Sequence, residues 1–254
     1  MALYCNTTGQ GEDLVLLHGW GMNSAVWQAM LPVLQKRYTV YCIDLPGHGA
    51  SAGVVGEDVL ETWLDALERV LPRQFYLCGW SLGGLLGLAV RKRWPQRVRG
   101  LMLLAAAPKF LHSQDWPALP AAQLQQFADG LQNDVAATLR QFIALQFLGT
   151  ADSRLIQRQL HQALSAQGVA TEQGLRQGLQ LLRQLDLRGN FSDCAVLLGG
   201  RDKLVPPVLG QAMQLLSNSV VVEFWPHAAH APHLLEPARV AKFIYTYIKE
   251  SKPA

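Results

Sequence analysis

The chain carries little charge of either sign. Charged side chains make up 16% of its 254 residues, and the formal net charge is only +3. Such a weak positive charge gives no electrostatic reason to expect a nucleic-acid partner. Half of the residues are hydrophobic, which excludes an intrinsically disordered chain and predicts a large core. The length fits one α/β domain with room for an insertion.

Cysteines are few, and their spacing is not that of a metal site. No two of the four cysteines are separated by two residues, and no histidine stands at ligand spacing from them. The cysteines therefore indicate no metal site, and the serine chemistry considered below requires neither a metal nor an organic cofactor. Cys42, Cys78 and Cys194 lie in apolar, strand-like runs, which predicts reduced and buried thiols.

Targeting and membrane-spanning segments are also missing. No apolar run approaches the length of a membrane span, and the first residues lack the basic and apolar regions of a signal peptide. We therefore expect a cytoplasmic protein that does not bind membranes. Internal repeats and low-complexity tracts are absent as well. Nothing in the sequence requires self-association, so a monomer is expected.

What the sequence does contain is an alternation of apolar runs and helical patterns. Continuous apolar runs such as 14–17 are typical of strands buried on both faces. Strands are predicted at 14–17, 38–43, 75–78, 100–106, 195–198 and 220–224. Helices are predicted between and after them at 25–35, 59–71, 82–94, 208–216 and 239–249.

This alternation stops between residues 108 and 187. Helices are predicted there at 121–131, 135–147, 153–166 and 173–185, with Thr171 as an N-cap. The simplest arrangement is a mostly parallel sheet flanked by helices, built from residues 1–107 and 188–254. A helical cap at residues 108–187 is then inserted after one strand.

The most informative short segment is Gly79-Trp80-Ser81-Leu82-Gly83, which matches G-x-S-x-G. It lies between a predicted strand and a predicted helix, where a tight turn pushes the serine hydroxyl out of the backbone path. Glycines are needed on both sides because a Cβ there would collide with the neighbouring strand or helix. Taken alone, the motif also fits an ordinary strand-to-helix turn.

A serine nucleophile needs a base, and the base needs a carboxylate that orients it. Asp202 follows a predicted buried strand, which is where parallel sheets build their sites, although aspartate is also common in plain turns. His227, His230 and His233 follow the last predicted strand. We favour His230, because its small neighbours let the imidazole reach a crowded centre. All three also fit ordinary loop histidines.

Acyl transfer further requires hydrogen-bond donors for the oxyanion. The backbone N–H of Leu82, at the start of a helix, is one candidate. The other is the N–H of Trp20, in the glycine-containing loop after the first buried strand. His18, at the end of that strand, is expected to hold the loop by hydrogen bonds rather than to act as a base. The turn-dense block at 44–51 predicts only a tight loop.

Together these segments resemble the α/β-hydrolase family. The resemblance covers residues 18–21, the block at 44–51, the G-x-S-x-G motif, Asp202 with Pro206, and His230 with Pro232. The pieces occur in the order of the family and extend over nearly the whole chain. The resemblance implies a Ser81–His230–Asp202 catalytic triad that works through an acyl-enzyme, beneath a helical cap.

Five segments are more specifically similar to the pimeloyl-[acyl-carrier protein] methyl ester esterase family of biotin biosynthesis: 18–23, 79–85, 142–146, 149–150 and 228–232. This similarity implies a carboxylesterase that releases methanol and a free ω-carboxylate, with acyl-carrier protein as its partner. It places the substrate near Trp20, Ser81, Leu82, Phe142, Ile143, Ala144, Leu145, Gln146 and His230. The apolar side chains of Phe142, Leu145 and Phe147 suit an acyl slot, although they also fit simple packing of the cap.

Three arginines of the predicted cap are candidates for contact with the carrier protein: Arg140, Arg154 and Arg158. Arg154 and Arg158 are four residues apart, which puts them on one face of a helix. However, residues 115–190 contain six basic and six acidic side chains, so only a local positive patch is expected. Ordinary solvated arginines are the alternative.

Other functions on the same fold stay open. A general short-chain carboxylesterase and a carbon–carbon bond hydrolase acting on ring-cleavage products are the nearest alternatives. Serine at position 81 disfavours dehalogenases and epoxide hydrolases, which resemble this chain but have an aspartate there. A non-catalytic ligand-binding protein is more remote, since all three triad residues are present and fold alone does not decide function.

Overall fold

The computed structural model describes residues 3–150 and 153–251. Seven strands form one sheet in the order β1-β3-β2-β4-β5-β6-β7. β1 is antiparallel to β3, and all other neighbours in the sheet are parallel. The strands are β1 Cys5–Gly9, β2 Glu12–Leu17, β3 Tyr38–Ile43, β4 Phe75–Trp80, β5 Val98–Leu104, β6 Cys194–Gly199 and β7 Val221–Trp225.

The inner strands of the sheet are buried on both faces. Every residue of β4 and of β6 is buried, as expected of parallel strands that helices cover on both sides. The thiols of Cys42 and Cys194 are buried here, and burial raises the pKa of each to about 12. The prediction of buried cysteines is confirmed for these two and for Cys78.

Ten α-helices surround the sheet in the described part of the chain. They are α1 Leu31–Leu34, α2 Val59–Glu68, α3 Leu82–Arg93, α4 Ala121–Asn133, α5 Val135–Gln146, α6 Arg154–Gln167, α7 Glu172–Gln184, α8 Leu209–Leu216, α9 Pro232–Leu235 and α10 Pro237–Glu250. Short 3₁₀ helices cover Ser24–Trp27 and Arg188–Asn190. Within residues 3–150 and 153–251, no helix has the length and apolar character needed to cross a bilayer.

The structure differs from the sequence prediction at two places near the N-terminus. The edge strand β1 was not predicted, because its sequence CNTTG is polar and half-exposed and contains no apolar run. The predicted helix at 25–35 is divided into the 3₁₀ helix Ser24–Trp27 and the short helix α1. Pro32 lies in the first turn of α1, where its missing N–H costs nothing, whereas it would interrupt one continuous helix.

Helices α4 to α7 lie between β5 and β6 in the chain. Thr171 caps α7, since its side chain accepts a hydrogen bond from the N–H of Gly174, as predicted. We use the name cap for these four helices and keep the boundaries 108–187 as a proposal. The cap and the sheet share one continuous apolar core.

Hydrogen bonds tie one side of the cap to the core. The side-chain amide of Asn23 donates to the carbonyl groups of Leu164 and Gly168 at the end of α6, at 3.1 and 2.9 Å. The backbone N–H of Thr171 donates to the carbonyl of Gly47 at 2.8 Å. These bonds run from the loops that follow β2 and β3 to the cap. They therefore fix α7 and the end of α6 over the carboxyl ends of these strands.

Candidate active site

Ser81 occupies a strained turn between β4 and α3. Its φ is 54° and its ψ is −118°, a conformation that non-glycine residues rarely adopt. The surrounding hydrogen bonds fix it: its N–H donates to Leu104 at 3.0 Å, and its carbonyl accepts from the N–H groups of Gly84 and Leu85. Strain of this kind persists only where neighbouring structure over-determines it, and it is concentrated at functional sites.

The two glycines that flank the serine are required by close packing. A Cβ on Gly79 would lie 2.3 Å from the carbonyl oxygen of Gly83. A Cβ on Gly83 would lie 2.2 Å from the carbonyl oxygen of Leu17, at the end of β2. The collisions expected from the motif are therefore present, and they explain how closely α3 approaches the sheet.

Asp202 and His230 form a buried pair. The Oδ2 atom of Asp202 accepts a hydrogen bond from Nδ1 of His230 at 2.8 Å, and both side chains are almost fully inaccessible. The other carboxylate oxygen accepts from the backbone N–H groups of Leu204 and Val205, at 2.7 and 2.9 Å. With its proton on Nδ1, a neutral His230 has its lone pair on Nε2. That atom is buried and has no hydrogen-bond partner among the described residues.

Trp80 joins the serine turn to the histidine loop. Its indole N–H donates to the carbonyl of His230 at 2.7 Å, and the two ring centroids are 5.7 Å apart. The loop of Asp202 is fixed to the same segment, because the N–H of Arg201 donates to the carbonyl of Ala228 at 2.9 Å. Three loops that follow β4, β6 and β7 thus meet at the carboxyl edge of the sheet.

The other two candidate histidines are not brought to Asp202. His227 is exposed, and its Nδ1 lies 3.5 Å from the guanidinium of Arg201. His233 is fully buried between Trp27 and Trp80, with ring centroids at 4.6 and 4.5 Å. Burial, with a smaller contribution from His230, lowers the pKa of His233 to about 3. Of the three, only His230 is oriented by a carboxylate.

The two candidate oxyanion donors belong to backbone segments that adjoin Ser81. The backbone of Gly19 approaches it so closely that a Cβ on Gly19 would lie 3.3 Å from the Cβ of Ser81. The next residue is Trp20, and the N–H groups of Trp20 and Leu82 have no partner in the part of the chain that the structure describes. His18 supports this loop, as predicted: its Nε2 accepts from the N–H of Leu45 at 2.9 Å, and its Nδ1 donates to Gly19 at 2.8 Å.

Residues 14–243 match the sequence model of the alpha/beta hydrolase family. The chain belongs to this family. Among curated proteins it is 37% identical to a pimeloyl-[acyl-carrier protein] methyl ester esterase of Methylococcus capsulatus, over 99% of this chain and 100% of that one. It is 36% identical to the protein of the same name from Stenotrophomonas maltophilia, over 99% and 98% of the two chains. Like these relatives, this hydrolase is a carboxylic ester hydrolase.

Solved structures show the same fold at lower identity. An esterase from Exiguobacterium antarcticum superposes with a TM-score of 0.87 at 22% identity, covering 97% of this chain and 95% of that one. A bromoperoxidase from Bacillus anthracis gives the same TM-score at 21% identity and the same coverage. These two neighbours carry different names on one backbone, so this hydrolase's substrate has to be argued from its own side chains.

The cap of this α/β-hydrolase covers the site with aromatic side chains. The ring of Phe142 packs edge-on against Trp20 at 4.8 Å, and Phe127 packs against both. The indole N–H of Trp20 donates to the carbonyl of Leu175 in α7 at 2.8 Å. Ser81 is only 4% exposed and Trp20 is fully buried, so in this conformation the cap is closed over the serine.

Helix α5 presents only part of the predicted segment 142–146 to the interior. Phe142, Ile143 and Gln146 are buried, and so is Phe147 after them. Leu145 is half-buried, and Ala144 is exposed on the outer face of the helix, so the structure does not bring Ala144 to the site. Gln146 lies one turn after Phe142 and is fully buried. Neither its amide oxygen nor its nitrogen has a partner among the described residues.

Two helices of the cap, α5 and α6, carry charges of positive sign only. Arg140, Arg154 and Arg158 are all exposed, on α5 and α6. These two helices contain no aspartate or glutamate, and the six acidic residues of the predicted cap all lie outside them. A cavity of about 310 Å³ opens between α5 and α6, with Arg140 and His161 among its mostly apolar lining. The cap is thus neutral as a whole, and the acidic residues nearest to these two helices in sequence are Asp134, which caps α5, and Asp152, which lies between them.

One buried carboxylate near the site was not singled out from the sequence. Asp44, directly after β3, accepts hydrogen bonds from the N–H groups of Ser24 and Ala50, at 2.6 and 2.8 Å. It also accepts from the side-chain amide of Gln167 in α6, at 2.9 and 3.0 Å. Its position straight after a buried strand is the same signal that selected Asp202. No local pattern points to Gln167.

Proposed function

We propose that this hydrolase is a serine esterase that removes the methyl group from pimeloyl-[acyl-carrier protein] methyl ester. The observation that carries the proposal is the buried Asp202–His230 pair with its unpartnered Nε2, joined to the strained Ser81 turn through Trp80, whose indole N–H donates to the carbonyl of His230. The curated relatives named above support the substrate. Release of the free ω-carboxylate would place the enzyme in biotin biosynthesis.

In the first half of the proposed reaction, Ser81 attacks the ω-ester carbonyl while Nε2 of His230 takes the serine proton. Asp202 keeps the other ring nitrogen protonated and stabilises the imidazolium that forms. The N–H groups of Trp20 and Leu82 hold the tetrahedral oxyanion, and each such donor is typically worth roughly 2.7–4 kcal/mol. His230 then returns the proton to the departing methoxide, and methanol leaves.

In the second half, water hydrolyses the acyl-enzyme by the same route. His230 takes a proton from water, the resulting hydroxide attacks the Ser81 ester, and the serine oxygen leaves with the proton from His230. The product is the ω-carboxylate, and the thioester to the carrier protein is untouched. These steps use only groups of the protein itself and water.

The residues over Ser81 suit an acyl chain with polar ends. Trp20 and Phe142 offer an apolar wall for the methylene groups, and burial of such surface is worth about 25 cal/mol per Å². The amide of Gln146 lies one helical turn further along the same buried face of α5. A buried amide without partners costs about 1–3 kcal/mol per lost hydrogen bond, which a carbonyl oxygen of the substrate would offset.

The positive α5–α6 hairpin suits the carrier protein. Arg154 and Arg158 are exposed and four residues apart on α6, so they present one basic surface to an acidic partner. Arg140 lines the cavity between the two helices and would meet the phosphate of the carrier's prosthetic arm. Since the closed cap buries Ser81, we infer that the cap moves when the acyl chain enters.

The decisive test is steady-state kinetics on pimeloyl-[acyl-carrier protein] methyl ester, beside p-nitrophenyl esters of several chain lengths. Methanol and the carrier thioester are followed separately. We expect fast methanol release with the thioester intact. Rapid turnover of short esters with none of the carrier-bound ester would instead identify a general carboxylesterase. Ser81→Ala should stay folded and lose activity by orders of magnitude, and near-normal turnover would refute the triad.

The carrier surface has its own test. The double variant Arg154→Glu/Arg158→Glu should slow hydrolysis of the carrier-bound ester and leave p-nitrophenyl butyrate unaffected, because only the former needs the basic surface. Arg183→Glu on α7, an arginine outside the α5–α6 hairpin, is the matched control. Equal losses on both substrates, or no loss on either, would exclude this surface as the docking site.

A further inference from the structure

Arg201 reaches from the loop of the catalytic aspartate to the cap. Its guanidinium Nη1 donates to the carbonyl of Gly149 at 2.5 Å, across 52 residues of sequence. Its backbone N–H is bonded to Ala228 in the histidine loop, and its Nη2 lies 3.5 Å from Nδ1 of His227. One residue therefore connects three segments: the turn after α5, the aspartate loop and the histidine loop.

The turn that Arg201 holds is a hydrogen-bonded extension of α5. The N–H of Leu148 donates to Leu145 at 3.2 Å, and Thr150 bonds back to the carbonyl of Phe147 through both its N–H and its hydroxyl, at 3.1 and 2.6 Å. Gly149 has a φ of +84°, where a side chain would be strained. A Cβ there would lie 3.6 Å from Cδ of Arg201, so the arginine stem runs close beside this glycine.

This bond differs from the other hydrogen bonds between the cap and the core in the part of the cap that it holds. The end of α6 and helix α7 are bound to the core through Asn23, Gln167, Thr171 and Trp20. For residues 135–150, by contrast, the bond to Arg201 is the single hydrogen bond to the core found in the described part of the chain. Among the described residues, α5 also meets the core through apolar contacts such as Phe142 on Trp20. Apolar contacts are not directional and allow sliding.

We propose that Arg201 is a positioning residue that sets the place of α5 over the acyl chain. By fixing Gly149, three residues after Gln146, it holds Gln146 and Phe142 at a defined height above Ser81. The proposal rests on the proposed serine esterase activity but not on the identity of the carrier-bound substrate. Because Arg201 acts through α5, it matters for long acyl chains that reach α5 and not for an acetyl group.

The test compares Arg201→Met, which keeps the stem and removes the donors, with Arg201→Lys, which restores one donor. The substrates are p-nitrophenyl octanoate and p-nitrophenyl acetate. A hydrogen bond from a charged donor to an exposed carbonyl supports an expected rise of about fivefold in KM for the octanoate in Arg201→Met. The acetate kinetics and the pH profile of kcat should not change, and Arg201→Lys should recover part of the loss.

A matched control is Arg176→Met, which removes an equally exposed cap arginine whose partner is Glu172 on the same helix. It should behave like the wild type on both esters. Hydrogen–deuterium exchange should become faster in peptides from 135–150 of Arg201→Met and stay unchanged in α7. Equal loss on both esters would show damage to the aspartate loop and overturn the proposal. So would an unchanged octanoate KM, or a lysine variant no better than methionine.

These outcomes are separate from a failure of the proposed function. Inactivity of the wild type on the carrier-bound ester would change the substrate assignment and leave the comparison of octanoate with acetate intact. If the wild type does cleave the carrier-bound ester but Arg201→Met leaves the octanoate KM unchanged, only the proposed role of Arg201 is rejected.

Discussion

Replacement of Asp202 by asparagine is the sharpest test of how the site is oriented. One carboxylate oxygen accepts two backbone N–H groups, from Leu204 and Val205, and the other accepts Nδ1–H of His230. Asparagine has one oxygen and one NH₂ group. If its oxygen keeps the two backbone bonds, its NH₂ group faces Nδ1 and donates to it. His230 must then carry its proton on Nε2, which can no longer accept the proton of Ser81.

The opposite orientation of the amide is less favourable. In that orientation the NH₂ group would face the N–H groups of Leu204 and Val205. Both of these hydrogen bonds would be lost, at about 1–3 kcal/mol each. The structure therefore selects the unproductive tautomer. In serine proteases with this triad, the same change lowers kcat by about 10⁴-fold. We expect a similar loss here, which corresponds to about 5 kcal/mol in the activation barrier.

The assay is kcat for p-nitrophenyl butyrate between pH 6 and 9, with the melting temperature measured beside it. Asp202→Asn should melt within a few degrees of the wild type, because its backbone bonds are kept. Asp186→Asn is the control: this surface carboxylate pairs with Lys109 and Arg188 and should be dispensable for turnover. A kcat for Asp202→Asn within tenfold of the wild type would refute the tautomer argument.

Two further predictions concern stability. Gly83→Ala puts a Cβ 2.2 Å from the carbonyl of Leu17, so we expect about 3 kcal/mol of destabilisation and a melting temperature lower by about 10 °C. Gly189→Ala, with nothing within 4 Å, should change little, and equal effects would contradict the packing argument. His233→Phe should reduce acid sensitivity. The folded pKa of His233 is about 3, below its unfolded value, so between pH 6 and 4 only the unfolded chain gains that proton. This histidine's contribution to stability is full above about pH 6.5 and falls by up to about 1.4 kcal/mol per pH unit below it. Urea unfolding at pH 7.5, 5.5 and 4.5 measures the slope, and an unchanged slope in the variant would refute it.

The sheet was largely predictable because its inner strands carry their own pattern. The strand Tyr38–Ile43 has the predicted bounds, since an apolar run between turn residues is sufficient to define it. β4 continues two residues beyond its prediction, to Trp80, because Gly79 and Trp80 still pair with β5 before the turn at Ser81. The edge strand β1 is different: its pairing with β3 is decided by backbone hydrogen bonds and not by side-chain hydrophobicity.

The site was predictable to the extent that it follows strand ends. Ser81, Asp202 and His230 each come shortly after a parallel strand, and such positions converge at one edge of the sheet. Choosing among three histidines needed the small neighbours of His230, since His233 is buried as well. The hydrogen bonds that join the cap to the core were not predictable. Asp44 and Gln167 are 123 residues apart, and Arg201 meets Gly149 across 52, so no local pattern contains either contact.

Unpartnered buried polar atoms do not by themselves identify the groups that meet a substrate. Trp27, His48 and His233 also have buried nitrogens without partners in the described part of the chain, and His233 even packs against Trp80, the residue before Ser81. Burial lowers the pKa of His48 to about 3, so its ring is neutral. The free energy that its burial costs is therefore only that of one uncharged ring nitrogen without a hydrogen bond. His230 and Gln146 differ in how they are placed: the hydrogen bond to Asp202 fixes the ring of His230, and α5 carries Gln146 on the same buried face as Phe142. A polar atom that the protein orients and leaves unpaired is arranged for a partner from outside. For that reason we expect the ester group to bind at His230 and Ser81, with the acyl chain extending from there toward Gln146.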